Sequence, residues 1–167
     1  PIVFASSTQA IIKNPYGRSK LAAEKELRAF SEATDNPTIV FRFPGIFGKW
    51  CKPNYNSVVA TFCFNIARDL PIRIHDPEKV LKLVYIDDVL ESVLNSLVSP
   101  DSGYRQMTVQ PEYNVTLGQL AEHIRSFANF RFTLNSERVG NGFLRALYAS
   151  YVSYLPADMF SHQVTKH

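Results

Sequence analysis

Short apolar runs alternate along this 167-residue chain with longer stretches whose apolar positions recur at helical spacing. Ile2-Val3-Phe4-Ala5 is a continuous apolar run closed by Ser6-Ser7-Thr8, which predicts a buried strand over residues 2–5 ending in a polar turn. Pro15 stands where proline suits the first turn of a helix. Leu21, Ala22, Ala23, Leu27 and Phe30 then continue the pattern among Lys25 and Glu26, predicting a helix from 15 to about 33. A second strand follows at 38–43, then a long loop from Pro44 to Asn56. Ser57 opens a helix through Val58, Phe62, Ile66 and Ala67. Short strands are expected near Ile72–Ile74 and Leu81–Tyr85, with a helix after Asp87-Asp88 and a break at Pro100-Asp101-Ser102-Gly103. Thr116 caps a further amphipathic helix to about Phe127, and Tyr148, Tyr151, Tyr154 and Leu155 form an aromatic stripe expected in core or docking surface. The rhythm is α/β, without an internal repeat.

Composition narrows the picture. Apolar residues make up 46% of the chain, enough for a sizeable core. The formal charge of +3 is spread along the sequence and leaves no electrostatic footprint for nucleic acid. No apolar run approaches the ~18 residues needed to cross a bilayer, so no membrane partner is expected and the cytoplasm is the default location. Cys51 and Cys63 are too few for a disulfide framework and lack zinc-ligand spacing; both are read as reduced and structural. His75, His123, His162 and His167 lie far apart and are read as solvated or partly buried. Asp87-Asp88 suggests either a metal or a helix N-terminus. Adjacent side chains diverge and a helix start already favours carboxylates, so capping and loop anchoring is the preferred reading and no metal is expected.

The chemistry-bearing pattern is at the front. Tyr16 and Lys20, at i and i+4, share one helix face, so an ammonium can stabilise the deprotonated phenol. A free phenol titrates near ~10 and exchanges protons poorly at neutral pH; a fixed cation favours its anion. A strand end that delivers a hydroxyl, followed by a helix that delivers Tyr and Lys, makes a site geometry. Ser6, Ser7 and Thr8 all carry hydroxyls, and the residues alone do not choose among them. The bland alternative is a strand, a polar turn and a surface helix. The loop after Pro44 carries Lys49, Trp50, Lys52, Asn54, Tyr55 and Asn56, a mixture able to stack on a ring and hydrogen-bond phosphate or sugar, or else a packed loop anchored by Trp50 and Tyr55.

Ser7 with Tyr16-Gly17-Arg18-Ser19-Lys20, Arg42-Phe43-Pro44-Gly45-Ile46-Phe47-Gly48 and Tyr85-Ile86-Asp87-Asp88-Val89, in that order, resemble the motifs of the extended short-chain dehydrogenase/reductase (NAD-dependent epimerase/dehydratase) superfamily. Within it, Asn14-Pro15-Tyr16-Gly17, the segment Phe47–Ser57 and Leu147–Pro156 resemble the bacterial capsular polysaccharide assembling reductases. The resemblance implies a partial Rossmann-like, doubly wound parallel sheet with a small α/β substrate-binding lobe. Residues 1–50 would form the catalytic strand-helix-strand, and 51–167 mainly the substrate-side lobe and C-terminal helices. It implies NADPH-dependent reduction of a UDP-2-acetamido-2,6-dideoxyhexos-4-ulose in capsule or O-antigen (N-acetyl-L-fucosamine) precursor synthesis, with NAD as the alternative cofactor. Ser7 would hydrogen-bond the substrate carbonyl, Tyr16 would donate the proton, and Lys20 would bind the nicotinamide ribose and favour the Tyr16 phenolate. Pro44 would join Tyr16 and Lys20 against the cofactor; Thr8, Gly45, Lys52, Asn54, Tyr55 and Asn56 would meet the UDP-sugar.

This chain departs from the pattern in places. Many members of the superfamily have Asn where it has Gly45, and the usual Arg ahead of Tyr85 is replaced by an apolar residue within Val80–Val84. No Gly-rich dinucleotide turn occurs among its scattered glycines. The chain is therefore expected to be a fragment, without the cofactor half and without the C-terminal cupin domain usual in the group, nearly inactive alone. An uncovered sheet edge predicts self-association or a homodimer. The alternatives are an epimerase or dehydratase that recycles NAD, and a non-catalytic remnant acting as an interaction domain.

Overall fold

The computed structural model describes residues 1–98, 101–133 and 139–160. Pro100, His162 and His167 lie outside the described residues. The chain divides into two compact units, the first made of Pro1–Ile46 and Lys82–Glu112 and the second of Phe47–Leu81 and Tyr113–His167.

The first unit is built on a parallel sheet of order β1-β2-β5, formed by β1 (Ile2–Ser7), β2 (Thr38–Phe43) and β5 (Tyr104–Met107). β2 is central, and every residue but Arg42 is buried, as a strand covered on both faces requires. Its odd positions Ile39, Phe41 and Phe43 pack with Val84, Val89 and Val109, and Phe41 stacks on Phe43 at 5.5 Å. Val89 comes from α3 (Ile86–Val98), which follows β4 (Val80–Tyr85) directly and holds Asp87 and Asp88 in its first turn. The Asp88 carboxyl is raised above the usual range by burial first, then by the charges of Asp87 and Glu91. The even face of β2 receives α1 (Pro15–Thr34), the crossover from β1. Asn14 caps α1, accepting from Gly17 N at 2.6 Å, and Pro15 occupies the first turn.

β5 has no counterpart in the apolar pattern, since Arg105 and Gln106 interrupt it; pairing with β2 makes it a strand. β3 (Gly45–Phe47) lies inside the stretch expected to be loop, and pairs in a second sheet of order β3-β4-β6, where β6 is Tyr113–Thr116. Ile72–Ile74, expected as a strand, belongs to neither sheet. Pro71 before it has no amide donor, and its carbonyl accepts from Asn65 Nδ2 at 3.1 Å.

The second unit is helical: α2 (Val58–Ile66), α4 (Leu117–Thr133) and α5 (Gly142–Val152). Ser57 caps α2 and Thr116 caps α4, where Gln119 answers with a side-chain bond back to Thr116 N. Leu120, Ile124 and Leu147 are fully buried, and Phe127 meets Tyr148 and Tyr151 at 5.2 and 6.0 Å. Tyr151 and Tyr154 of the aromatic stripe are core. His123 is half-buried against Phe143, and His75 is exposed.

Both cysteines are free; Cys63 is fully buried and Cys51 half-buried. Burial pushes the Cys63 thiol up, away from the reactive thiolate. Iodoacetamide should therefore alkylate Cys51 in the folded protein and reach Cys63 only after denaturation, as peptide mass spectrometry would show; labelling of both at equal rates would contradict this packing.

Candidate active site

Parallel strands need a crossover, and here it sets the site. α1 leaves from the C-terminal end of β1, so its first turns stand beside the points where β1 and β2 end. Ser7 closes β1, pairs in register with Phe43, and its Oγ accepts from Gln9 N at 3.1 Å, capping a short 3-10 turn over Thr8–Ile11. Thr8 opens that turn and is exposed. Gly17 lies hard against it: a Cβ there would stand 2.2 Å from the Gln9 carbonyl oxygen and 2.4 Å from that of Ile12. Asn14 Nδ2 adds a bond to Gln9 Oε1 at 3.3 Å. Only glycine lets the turn carrying Ser7 seat on the helix carrying Tyr16.

Tyr16 is 49% exposed, so a small molecule can approach it. Lys20 Nζ sits 5.7 Å from that ring's centroid and 5.0 Å from the Phe4 ring, and donates to the Ala5 carbonyl at 3.0 Å. An ammonium carries three donors, and the described contact to Ala5 uses one of them. Pro44 follows β2, half-buried, and Gly45 opens β3, exposed. A Cβ on Gly45 would meet Leu83 Cδ2 at 2.9 Å and the Lys82 carbonyl at 3.1 Å, so the missing side chain makes room for β4.

One residue at the site escaped the sequence pattern. Glu24 is 3% exposed, one helical turn past Lys20 on the same stripe as Tyr16. It accepts from Ser6 Oγ, from Arg42 Nε at 3.0 and 3.2 Å, and from Arg42 Nη2 at 2.6 Å. With its amide carbonyl turned to Arg42, Gln106 accepts from the same guanidinium at 2.6 and 3.1 Å. Burial raises the Glu24 carboxyl, but hydrogen bonds from Arg42 and Ser6 and the Arg42 charge outweigh it, and the group lies below its ordinary value. The signal available was spacing: Tyr16, Lys20 and Glu24 fall at i, i+4 and i+8.

Lys52, Asn54, Tyr55 and Asn56 belong to the second unit and are exposed. Trp50 and Tyr55 are 81% and 80% exposed, so they do not anchor their loop. The buried Tyr154 does, donating to the Cys51 carbonyl at 2.7 Å, with Ser153 Oγ accepting from Trp50 N at 3.4 Å. Lys52 Nζ lies 5.6 Å over the Tyr55 ring, and Asn54 N donates to Thr61 Oγ1 at 2.9 Å.

The profile of the NAD dependent epimerase/dehydratase family matches residues 5–115, a span holding Ser7, Tyr16, Lys20 and Asp87-Asp88. The chain belongs to this family. A family relative, the UDP-2-acetamido-2,6-beta-L-arabino-hexul-4-ose reductase of Pseudomonas aeruginosa, is 46% identical over all 167 residues, which span 45% of its length. The crystal structure of the capsular polysaccharide assembling protein CapF from Staphylococcus aureus is 39% identical, with a TM-score of 0.90 over 97% of this chain and 45% of that one. The Thermus thermophilus UDP-glucose 4-epimerase bound to NAD shares the fold, at 20% identity and a TM-score of 0.74, covering 91% of this chain and 63% of that one. The chain thus spans less than half the length of its more similar family relatives and carries the Rossmann-like α/β fold. Among the described residues no cluster of three or more His, Cys, Asp or Glu could hold a metal, and no helix is long and apolar enough to cross a membrane.

Two outcomes follow from this geometry. Gly17→Ala forces the 3-10 turn off α1 and should lower stability by about 1–3 kcal/mol, measured by denaturant unfolding; a neutral result would contradict the close approach. Because the Glu24 carboxyl is held lower when folded than unfolded, its stabilising contribution is complete above the ordinary range near ~4.3 and is lost as pH falls through the folded value. The stability gap between the natural protein and Glu24→Gln should therefore narrow as pH is lowered from about 5 through that range.

Proposed function

We propose that this chain is the catalytic-residue-bearing portion of an NADPH-dependent reductase of a UDP-linked 2-acetamido-2,6-dideoxyhexos-4-ulose, working in the cytoplasm on capsule or O-antigen precursors. The observation that carries the reading is the 46% identity, over the whole of this chain, with the Pseudomonas aeruginosa reductase. Residue chemistry supports it. Ser7 ends a strand with its hydroxyl beside a turn, ready to donate to a substrate carbonyl oxygen and hold it near Tyr16. The Tyr16 hydroxyl gives its proton to that oxygen as the carbonyl becomes an alcohol. The charge left on Tyr16 develops beside the Lys20 ammonium, whose fixed position needs no reorganisation at that moment.

The donor set suits a dinucleotide: among the described residues Lys20 spends one of its three ammonium donors, on Ala5, which leaves donors for ribose hydroxyls next to a half-exposed phenol and the Pro44-Gly45 strand end. Lys20, Tyr16 and Pro44 would hold the nicotinamide end, which supplies the hydride to the carbonyl carbon. Thr8 and Gly45 would flank the sugar, and Lys52, Asn54, Tyr55 and Asn56 offer the charge, amides and ring that a UDP moiety requires.

The complete gene product carrying this chain should oxidise NADPH stoichiometrically with formation of a reduced UDP-sugar. Tyr16→Phe should cut kcat by about 10²–10⁴-fold with a small change in KM. Turnover that survives Tyr16→Phe would sink the assignment. A 4-keto or inverted product without net NADPH consumption would place the protein among epimerases or dehydratases.

A further inference from the structure

We propose that Glu24 is a positioning residue for Ser7, Tyr16 and Lys20, acting as a buried clamp that locks α1 to the ends of β1 and β2 through Ser6 and Arg42. The inference rests on the reductase reading for its reaction, and on the network itself for its mechanics.

Ser6 precedes Ser7, and strand alternation sends its side chain to the opposite face. There it is 4% exposed and donates its single hydroxyl proton to Glu24, so among the three consecutive hydroxyls Ser6 is committed to the interior and has no proton to offer a substrate. Ser7 is thereby fixed as the next residue outward. On α1, Lys20 grips the Ala5 carbonyl and Glu24, one turn on, grips the Ser6 hydroxyl. Two successive turns of the helix hold two successive residues of the strand. A slide or a roll of α1 along β1 breaks both bonds together, and Tyr16 moves with the helix while Ser7 stays with the strand.

Arg42 extends the clamp to β2. It pairs in register with Ser6, so one carboxylate bridges adjacent strands, and the guanidinium fork fixes the carboxylate plane. Two residues beyond Arg42 lies Pro44. Gln106 on β5 adds a further acceptor at the same Nε and Nη2, so α1, β1, β2 and β5 meet at one charged point. An apolar pair would give comparable stability in such a place without the desolvation of two charges. What a charged fork adds is a single allowed geometry, and reaction rates respond steeply to displacements on the order of 1 Å.

The test uses the complete gene product. Ser6→Ala removes one small donor, and Glu24→Leu/Arg42→Leu replaces the ion pair by an apolar one. Each folded variant should lose about tenfold or more in kcat for keto-sugar reduction, with KM changed less than about threefold. Backbone amide exchange over residues 5–8 and 16–20 should speed up by about tenfold in each folded variant. If the double variant does not fold, Ser6→Ala carries the same two readouts. A folded variant with kcat within about twofold of the natural protein, or with unchanged exchange in both segments, overturns the clamp. If the natural protein reduces no keto-sugar, only the reductase reading falls; the exchange result in Ser6→Ala then decides the clamp, faster exchange upholding it and unchanged exchange overturning it.

Discussion

Two strands that run the same way cannot be joined by a tight turn, and that constraint on β1 and β2 organises everything of chemical interest in the first unit. The link must travel back the length of the sheet, and the chain makes it with α1. A crossover helix begins where the first strand ends. The N-terminal turns of α1 therefore stand at the carboxyl edge of the sheet, where Ser7 emerges from one strand and Pro44 from the next. In open α/β sheets this edge is where ligands bind. Tyr16 and Lys20 owe their location to strand direction before any specific contact is made.

The contacts then sharpen what topology roughs out. Gly17 removes the one Cβ that would hold the Ser7 turn away from the helix, and Asn14 ties the same turn from the cap. Glu24 and Lys20 hold the helix to β1 at adjacent residues. Steric allowance, capping and charge act at neighbouring positions of a short segment, which is why the motif between residues 14 and 24 is so dense in polar and small residues.

That density explains what could be read in advance. The strand over 38–43 and the helix from Pro15 are legible because each is a local pattern: an apolar run, a proline at a first turn, i and i+4 spacing; the first strand, expected over 2–5, runs on through Ser6 and Ser7 because they pair with Arg42 and Phe43. β5 was not legible because Tyr104-Arg105-Gln106-Met107 becomes a strand through its partner β2, and no local pattern records the partner. Ile72-Arg73-Ile74 misled in the opposite sense, showing alternation with no strand to pair with. Glu24 hid in plain view: a charge inside a helical run of Leu and Ala reads as a solvated face until the sheet is placed over it. Of the two readings of Trp50 and Tyr55, the anchoring one fails, since Tyr154, far along the chain, holds the loop instead.

The interleaving of the two units also bears on how the protein is made. β2 finds its outer neighbour only when Thr38 meets Tyr104, and the segment Phe47–Leu81 of the other unit is synthesised in between. Until residue 107 leaves the ribosome, β2 presents one edge of unpaired amides and carbonyls, along a strand in which Ile39, Val40, Phe41 and Phe43 are apolar. Such long-range closure is slow compared with helix formation. Vectorial synthesis thus delivers β1, α1 and β2 before β5, the strand that covers the far edge of β2.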